Sequence, residues 1–118
     1  SIDATGTTHF EWVALDKSLQ WQAFKRVIEI LRERDNDVLV VLGPFNEHLM
    51  AGENRPAYRK IRSDIVAWLA SNQFPRAVPE PLPSALYADA SHPLNEGYQL
   101  LAKRLYHDTM IQQWMNAK

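Results

Sequence analysis

The sequence predicts an α/β fold built on a parallel sheet, of which this chain holds only part. Three observations carry that prediction. Val38-Leu39-Val40-Val41-Leu42 is an unbroken apolar run rich in β-branched residues. Such a run is what a strand buried on both faces requires, and parallel sheets bury both faces. Segments of helical periodicity flank it on each side, the alternation of α/β units. No second segment reads as an equally firm strand, yet a strand buried on both faces needs neighbours. The missing strands are therefore expected in sequence before Ser1 or on another chain.

The elements follow in order. Ser1 to Thr8 is small and polar and reads as a loop. His9 to Leu15 is rich in aromatic residues and reads as a short, imperfectly alternating strand. Asp16 or Ser18 caps a helix whose apolar stripe is Phe24, Val27, Ile28 and Leu31. Arg34-Asp35-Asn36-Asp37 is a polar turn leading into the apolar strand, and Gly43 to His48 is the loop after it. Asn54 and Pro56 announce a second helix with the stripe Tyr58, Ile61, Ile65, Trp68 and Leu69, closed by Phe74-Pro75. Pro75, Pro79, Pro81 and Pro83 then predict an extended connection without a regular element. After the turn Asp89-Ala90-Ser91-His92-Pro93, Asn95 is the expected cap of a single last helix. Tyr98, Leu101, Ala102, Leu105 and Trp114 are expected on its inner side.

Composition narrows the function classes. The 118 residues fit one domain and carry 13 basic and 14 acidic side chains, without blocks of like charge. A net charge of −1 spread in this way excludes the concentrated basic face that nucleic acids or membrane surfaces require. There is no cysteine, so disulfides and thiolate metal sites are excluded. His9, His48, His92 and His107 lack paired metal-ligand spacing, and no metal or cofactor is expected. No apolar run reaches the ~20 residues of a membrane span. The N-terminus resembles no signal peptide and reads as a start in mid-sequence, so the composition assigns no compartment.

Asp89-Ala90-Ser91-His92-Pro93-Leu94-Asn95-Glu96-Gly97-Tyr98, followed by Leu101-Ala102, is where chemistry shows. A His acting as general base keeps one ring nitrogen for the nucleophile's hydroxyl. Its other nitrogen donates to a carboxylate that fixes the tautomer. An Asp three residues earlier in a tight turn supplies that carboxylate locally. Pro93 stiffens the turn, and Gly97 permits close approach of the next helix. The block resembles the last motif of SGNH/GDSL hydrolases: Asp, two residues, His-Pro, then Gly-Tyr and a helix. The resemblance implies that Asp89 and His92 complete a catalytic triad. It also implies that the chain is the C-terminal part of a flavodoxin-like three-layer α/β/α sandwich. The substrate class it implies is a small-molecule ester.

The serine of such a triad is absent here. No G-D-S string and no G-x-S-x-G elbow occurs. Ser91, next to His92, is expected to point its side chain away from the ring. The nucleophile is thus expected upstream, and the chain alone is expected to be inactive. Asn46, Glu47 and His48 follow the carboxyl end of the apolar strand, where open α/β sheets form their sites, and are candidates for the pocket border. Gly43-Pro44-Phe45-Asn46-Glu47 departs from the resembled family's G-x-N-D string in spacing and lacks its Asp. The oxyanion role is therefore not carried over to Asn46, which reads as a turn residue satisfying its own backbone. A non-enzymatic module of the same fold is the competing reading, with Trp12, Trp21, Trp68 and Trp114 marking an exposed interface.

Overall fold

Ser18 opens the first helix as expected. In the computed structural model, which describes residues 6–118, its Oγ accepts from Trp21 N at 3.1 Å and starts α1 (Leu19–Glu33). The polar turn reverses the chain through Asp35 at φ 62°, while Asn36 Nδ2 donates to the carbonyl of Leu31 at 3.0 Å. The chain then forms β1 (Val40–Val41), α2 (Arg55–Ser71) and β2 (Arg76–Ala77). β1 and β2 pair in parallel, Val40 opposite Arg76 and Val41 opposite Ala77, so α2 is the crossover of a βαβ unit. The Asp89 turn follows, then α3 (Asn95–Tyr106) and α4 (Thr109–Asn116). The architecture is α/β with a two-stranded parallel sheet.

Two buried clusters hold these elements. Ile28 of α1, Val40 of β1, Leu69 of α2 and Phe74 form the first, with Val38, Ile65 and Trp68 packed on it. Met50, Tyr58 and Ala90 form the second, covered by Phe10, Trp12, Phe45 and Leu49. The second cluster ties the N-terminal segment and the start of α2 to the Asp89 turn. It is largely aromatic: the Phe45 and Tyr58 rings stack at 5.2 Å, and Phe10 stacks on Trp12 at 4.8 Å.

Several expectations are corrected. His9 to Leu15 is not a strand. Just before it, Thr8 forms an isolated bridge with Met50, and Leu15–Lys17 is a 3-10 turn. Asn54 takes the place of a ladder partner: its side chain accepts from Phe10 N and donates to Phe10 O, both at 2.9 Å. That leaves Asn54 unable to cap α2 by its side chain. The Pro-rich connection does contain a strand, because a proline keeps its carbonyl. Val40 N donates to Pro75 O at 2.9 Å, and Leu42 N donates to Ala77 O at 3.0 Å. The apolar run is regular only over Val40–Val41 and is not buried on both faces: Val40 is buried while Val41 is 43% exposed. The last helix is two helices. Asp108 accepts from Ile111 N at 3.1 Å and caps α4 anew. Leu94, not Asn95, holds the cap position of α3 and makes no side-chain bond there. Tyr98 and Ala102 face outward.

The chain is more extended and flatter than a compact chain of its length. Its radius of gyration is 15.7 Å and its extents are 48 × 34 × 18 Å, whereas a compact chain of this length has a radius near ~13.5 Å. Its accessible surface is 7801 Å², against about 6,600 Å² for a monomer of this mass. Several large apolar side chains are open: Leu19 is 81% and Val27 54% exposed, with Phe24, Leu31 and Val41 also exposed. The stripe read from the sequence exists, but only Ile28 of it is buried. The four tryptophans, in contrast, are all partly buried, and Trp21 packs edge-on against Trp68 at 5.4 Å. They do not form the exposed interface expected of them. Among the described residues, no helix is long and apolar enough to cross a membrane.

Gly97 fixes how α3 sits on the preceding turn. A Cβ there would lie 2.5 Å from Leu86 O and 2.9 Å from Pro93 Cβ. Gly97→Ala should therefore lower stability by about 1–3 kcal/mol in urea denaturation. In an open helix the same change gains ~1 kcal/mol. A stabilised variant would mean that α3 does not press on the turn.

Candidate functional site

Asp89 to His92 form the loop of a miniature hairpin. Tyr87 and Pro93 make an antiparallel bridge. Ala88 N donates to His92 O at 2.8 Å, and Leu94 N donates to Leu86 O at 2.7 Å. Asp89 Oδ1 accepts from Ser91 N at 2.9 Å and from His92 N at 2.8 Å, folding the loop around the carboxylate. Short spacing and an Asx-type turn thus place Asp89 and His92 on one side of the loop. His92 Nδ1 lies 2.9 Å from Oδ1 and 3.0 Å from Oδ2 of Asp89.

Ala90 anchors the loop to the body. It has no accessible surface, its N–H donates to Thr8 Oγ1 at 3.3 Å, and its carbonyl accepts from Asn46 N at 2.8 Å. Tyr87 adds a second tether. Its buried hydroxyl donates to Pro44 O at 3.3 Å and accepts from Leu82 N at 3.1 Å. The Asp89 turn and the loop after β1 therefore meet at the carboxyl end of the sheet, where α/β folds gather their sites. Sequence reasoning missed Thr8 and Tyr87 as supports. Their partners lie 82 and 43 residues away, and no local pattern announces contacts of that range.

Electrostatics at the pair follow from this geometry. Partial burial raises the Asp89 pKa. The hydrogen bonds from Ser91 N, the His92 ring and His92 N outweigh it, so the carboxyl titrates below its ordinary value of 3.8. An ionised Asp89 is an acceptor only, so a hydrogen bond between it and a neutral His92 requires the ring proton on Nδ1. That tautomer turns the lone pair of Nε2 outward. No described residue bonds Nε2, and the ring is mostly exposed.

Ser91 departs from expectation. Its Oγ does not point away but lies 3.0 Å from His92 Nδ1 and 3.3 Å from Asp89 Oδ1. The loop curls, so neighbouring side chains converge instead of alternating. This does not make Ser91 the nucleophile, because it meets the nitrogen that serves the carboxylate. The general base of a triad is the other nitrogen.

The remaining candidates sit nearby in different settings. Asn46 is buried. Its Oδ1 accepts from His48 N at 3.0 Å, the turn role read from the sequence, and its Nδ2 donates to Ser84 Oγ at 2.7 Å. Glu47 pairs with Arg59 at 2.7 Å and borders an open groove of about 440 Å³ toward Arg62 and Glu80. His48 is exposed. The lining of that groove includes neither Asp89 nor His92. Among the described residues, no three His, Asp or Glu side chains converge to hold a metal ion. No protein-family model, curated protein or solved structure matches the chain.

The depressed Asp89 pKa makes a signed prediction. The folded carboxyl ionises below its unfolded counterpart, so its stabilisation is complete above the unfolded pKa. It is lost as pH falls through the folded pKa. Denaturant titrations between pH 5 and acid should show a slope below about pH 4 that Asp89→Ala reduces. An unchanged slope would show that the carboxylate gains nothing from the turn.

Proposed function

We propose that Asp89 and His92 are the catalytic Asp-His pair of a serine ester hydrolase resembling the SGNH/GDSL type, with the nucleophilic serine supplied by a segment upstream of Ser1. The observation that carries this reading is the carboxylate seated 2.9 Å from His92 Nδ1 with Nε2 left free. In this mechanism Nε2 accepts the serine proton as the hydroxyl attacks the ester carbonyl. It then returns that proton to the leaving alcohol, while Asp89 stabilises the imidazolium. Backbone amides of the upstream segment hold the oxyanion. Asn46 serves the site by positioning, through its N–H on Ala90 O, and not as an oxyanion donor.

The reading includes a fold. The two-stranded sheet belongs to a flavodoxin-like α/β/α sandwich, completed by strands from the upstream segment or another chain. The flat 18 Å slab and the open stripe Phe24, Val27 and Leu31 support an absent layer. The same stripe supports the competing reading, a non-catalytic assembly module of the same fold. The two differ in what His92 does.

The purified chain should hydrolyse p-nitrophenyl acetate no faster than its His92→Ala variant. In a longer protein that includes the serine segment, Asp89→Asn should lower kcat by about 10⁴-fold with KM little changed. His92→Ala should cost at least as much. Rapid turnover by the chain alone, stopped by a serine-directed phosphonate, would place the nucleophile among its own serines and overturn the proposal. Turnover in the longer protein that ignores both substitutions would favour the assembly module.

A further inference from the structure

The side chain of Ser91 has no part in closing the turn that carries it. The Ser91 and His92 N–H groups close the loop on Asp89 Oδ1, and Ala88 N closes it on His92 O. All three are backbone donors, which Ser91→Ala would keep. The half-buried hydroxyl faces two other atoms, His92 Nδ1 at 3.0 Å and Asp89 Oδ1 at 3.3 Å. Both belong to the pair on which the proposed chemistry depends.

A hydroxyl has one proton to give and lone pairs with which to receive. Given to Nδ1, that proton requires a bare ring nitrogen, whose lone pair already lies 2.9 Å from an ionised carboxylate oxygen. Two electron-rich atoms at that distance repel. Given to Asp89 Oδ1, the proton adds a donor to the carboxylate and leaves an Oγ lone pair facing the Nδ1–H. This second arrangement satisfies all three groups. The single Nδ1–H then meets three oxygens, Oδ1 at 2.9 Å, Oδ2 at 3.0 Å and Ser91 Oγ at 3.0 Å.

Such a hold matters because little else restrains the ring. The His92 side chain is 69% exposed, and among the described residues nothing bonds Nε2. An exposed ring with one carboxylate partner is free to swing out into water for part of the time. The Ser91 oxygen, 3.3 Å from Oδ1, is a separate point of attachment. We infer that Ser91 is a positioning residue: its hydroxyl donates to Asp89, accepts from His92 Nδ1, and so keeps the outward direction of Nε2 fixed. The catalytic purpose of this contact, though not the contact, rests on the ester-hydrolase reading. When Nε2 takes the serine proton, the ring becomes cationic and its Nδ1–H a stronger donor to both the hydroxyl and the carboxylate. No proton leaves Ser91 in that step.

Ser91→Ala and Ser91→Thr separate this role from a structural one, since both keep the N–H and only the second keeps a hydroxyl. In the labelled chain, three-bond couplings about the His92 χ1 bond should report one rotamer for the native protein and for Ser91→Thr. In Ser91→Ala they should average over several rotamers, while the cross-strand Overhauser contacts of Tyr87 with Pro93 persist. In a longer protein with His92-dependent esterase activity, Ser91→Ala should lower kcat about tenfold with KM unchanged, the loss of roughly one hydrogen bond. Ser91→Thr should restore it. A ring equally fixed in Ser91→Ala, or loss of the hairpin contacts in that variant, would overturn the inference. Full kcat in Ser91→Ala would overturn it too, and would leave the ester-hydrolase reading standing. A ring loosened in Ser91→Ala, in a longer protein that shows no His92-dependent activity, would retain the positioning contact and reject only its catalytic purpose.

Discussion

Ala90 has no accessible surface, and both of its backbone polar groups are committed, the N–H to Thr8 and the carbonyl to the N–H of Asn46. Those two bonds join three distant pieces of chain: the N-terminal segment, the loop after β1 and the turn before α3. Asp89 and Ser91 flank this fixed point, with His92 next, so their side chains are held by a backbone that cannot drift without exposing unsatisfied groups. The methyl of Ala90 packs with Met50 and Tyr58, which couples the turn to the aromatic cluster. A larger residue at position 90 would have to displace that cluster.

The sheet imposes a second constraint. Each strand has a single partner among the described residues, so β1 keeps an open edge with Val41 exposed beside it. Unprotected apolar edges recruit further strands. No proline or charged residue interrupts Val38 to Leu42 to prevent this. On the other side, prolines at 75 and 79 bracket β2, allowing a ladder bond through the Pro75 carbonyl but limiting its length. The α1 stripe is open as well: of its apolar residues only Ile28 is buried, while Phe24, Val27 and Leu31 stay exposed.

Local chemistry was legible in the sequence, and long-range chemistry was not. Ser18, the two long helices and the turn at Asp89 could be read because their signals lie within four residues of the atoms they control. The meeting of Asp89 with His92 belongs to this group. β2 was hidden because proline was counted as a missing donor, although the ladder uses it as an acceptor. The break at Asp108 was visible in Asp-Thr, a capping pair, but the apolar residues on either side suggested one continuous helix. Asn54 carried the right letter for a cap and took another task, bracketing Phe10. The convergence of Ser91 on the ring was misread because strand-like alternation was applied to a loop that curls about a carboxylate. Thr8, Asn46 and Tyr87 act across 40 residues or more, and only the folded chain brings them to the turn.

Everything proposed for catalysis rests on which nitrogen of His92 holds its proton, because Asp89 and Ser91 both approach Nδ1. If the carboxylate governs, Nδ1 is the donor and Nε2 is the free base. If instead the Ser91 hydroxyl donates to Nδ1, the proton moves to Nε2 and the ring presents no base to an incoming serine. Long-range ¹H–¹⁵N correlation of the His92 ring, at a pH where it is neutral, separates the two directly. The account predicts a pyrrole-like ¹⁵N shift at Nδ1 and a pyridine-like shift at Nε2, with the preference weakened in Asp89→Ala. A neutral ring protonated on Nε2, and unchanged by that substitution, would contradict it.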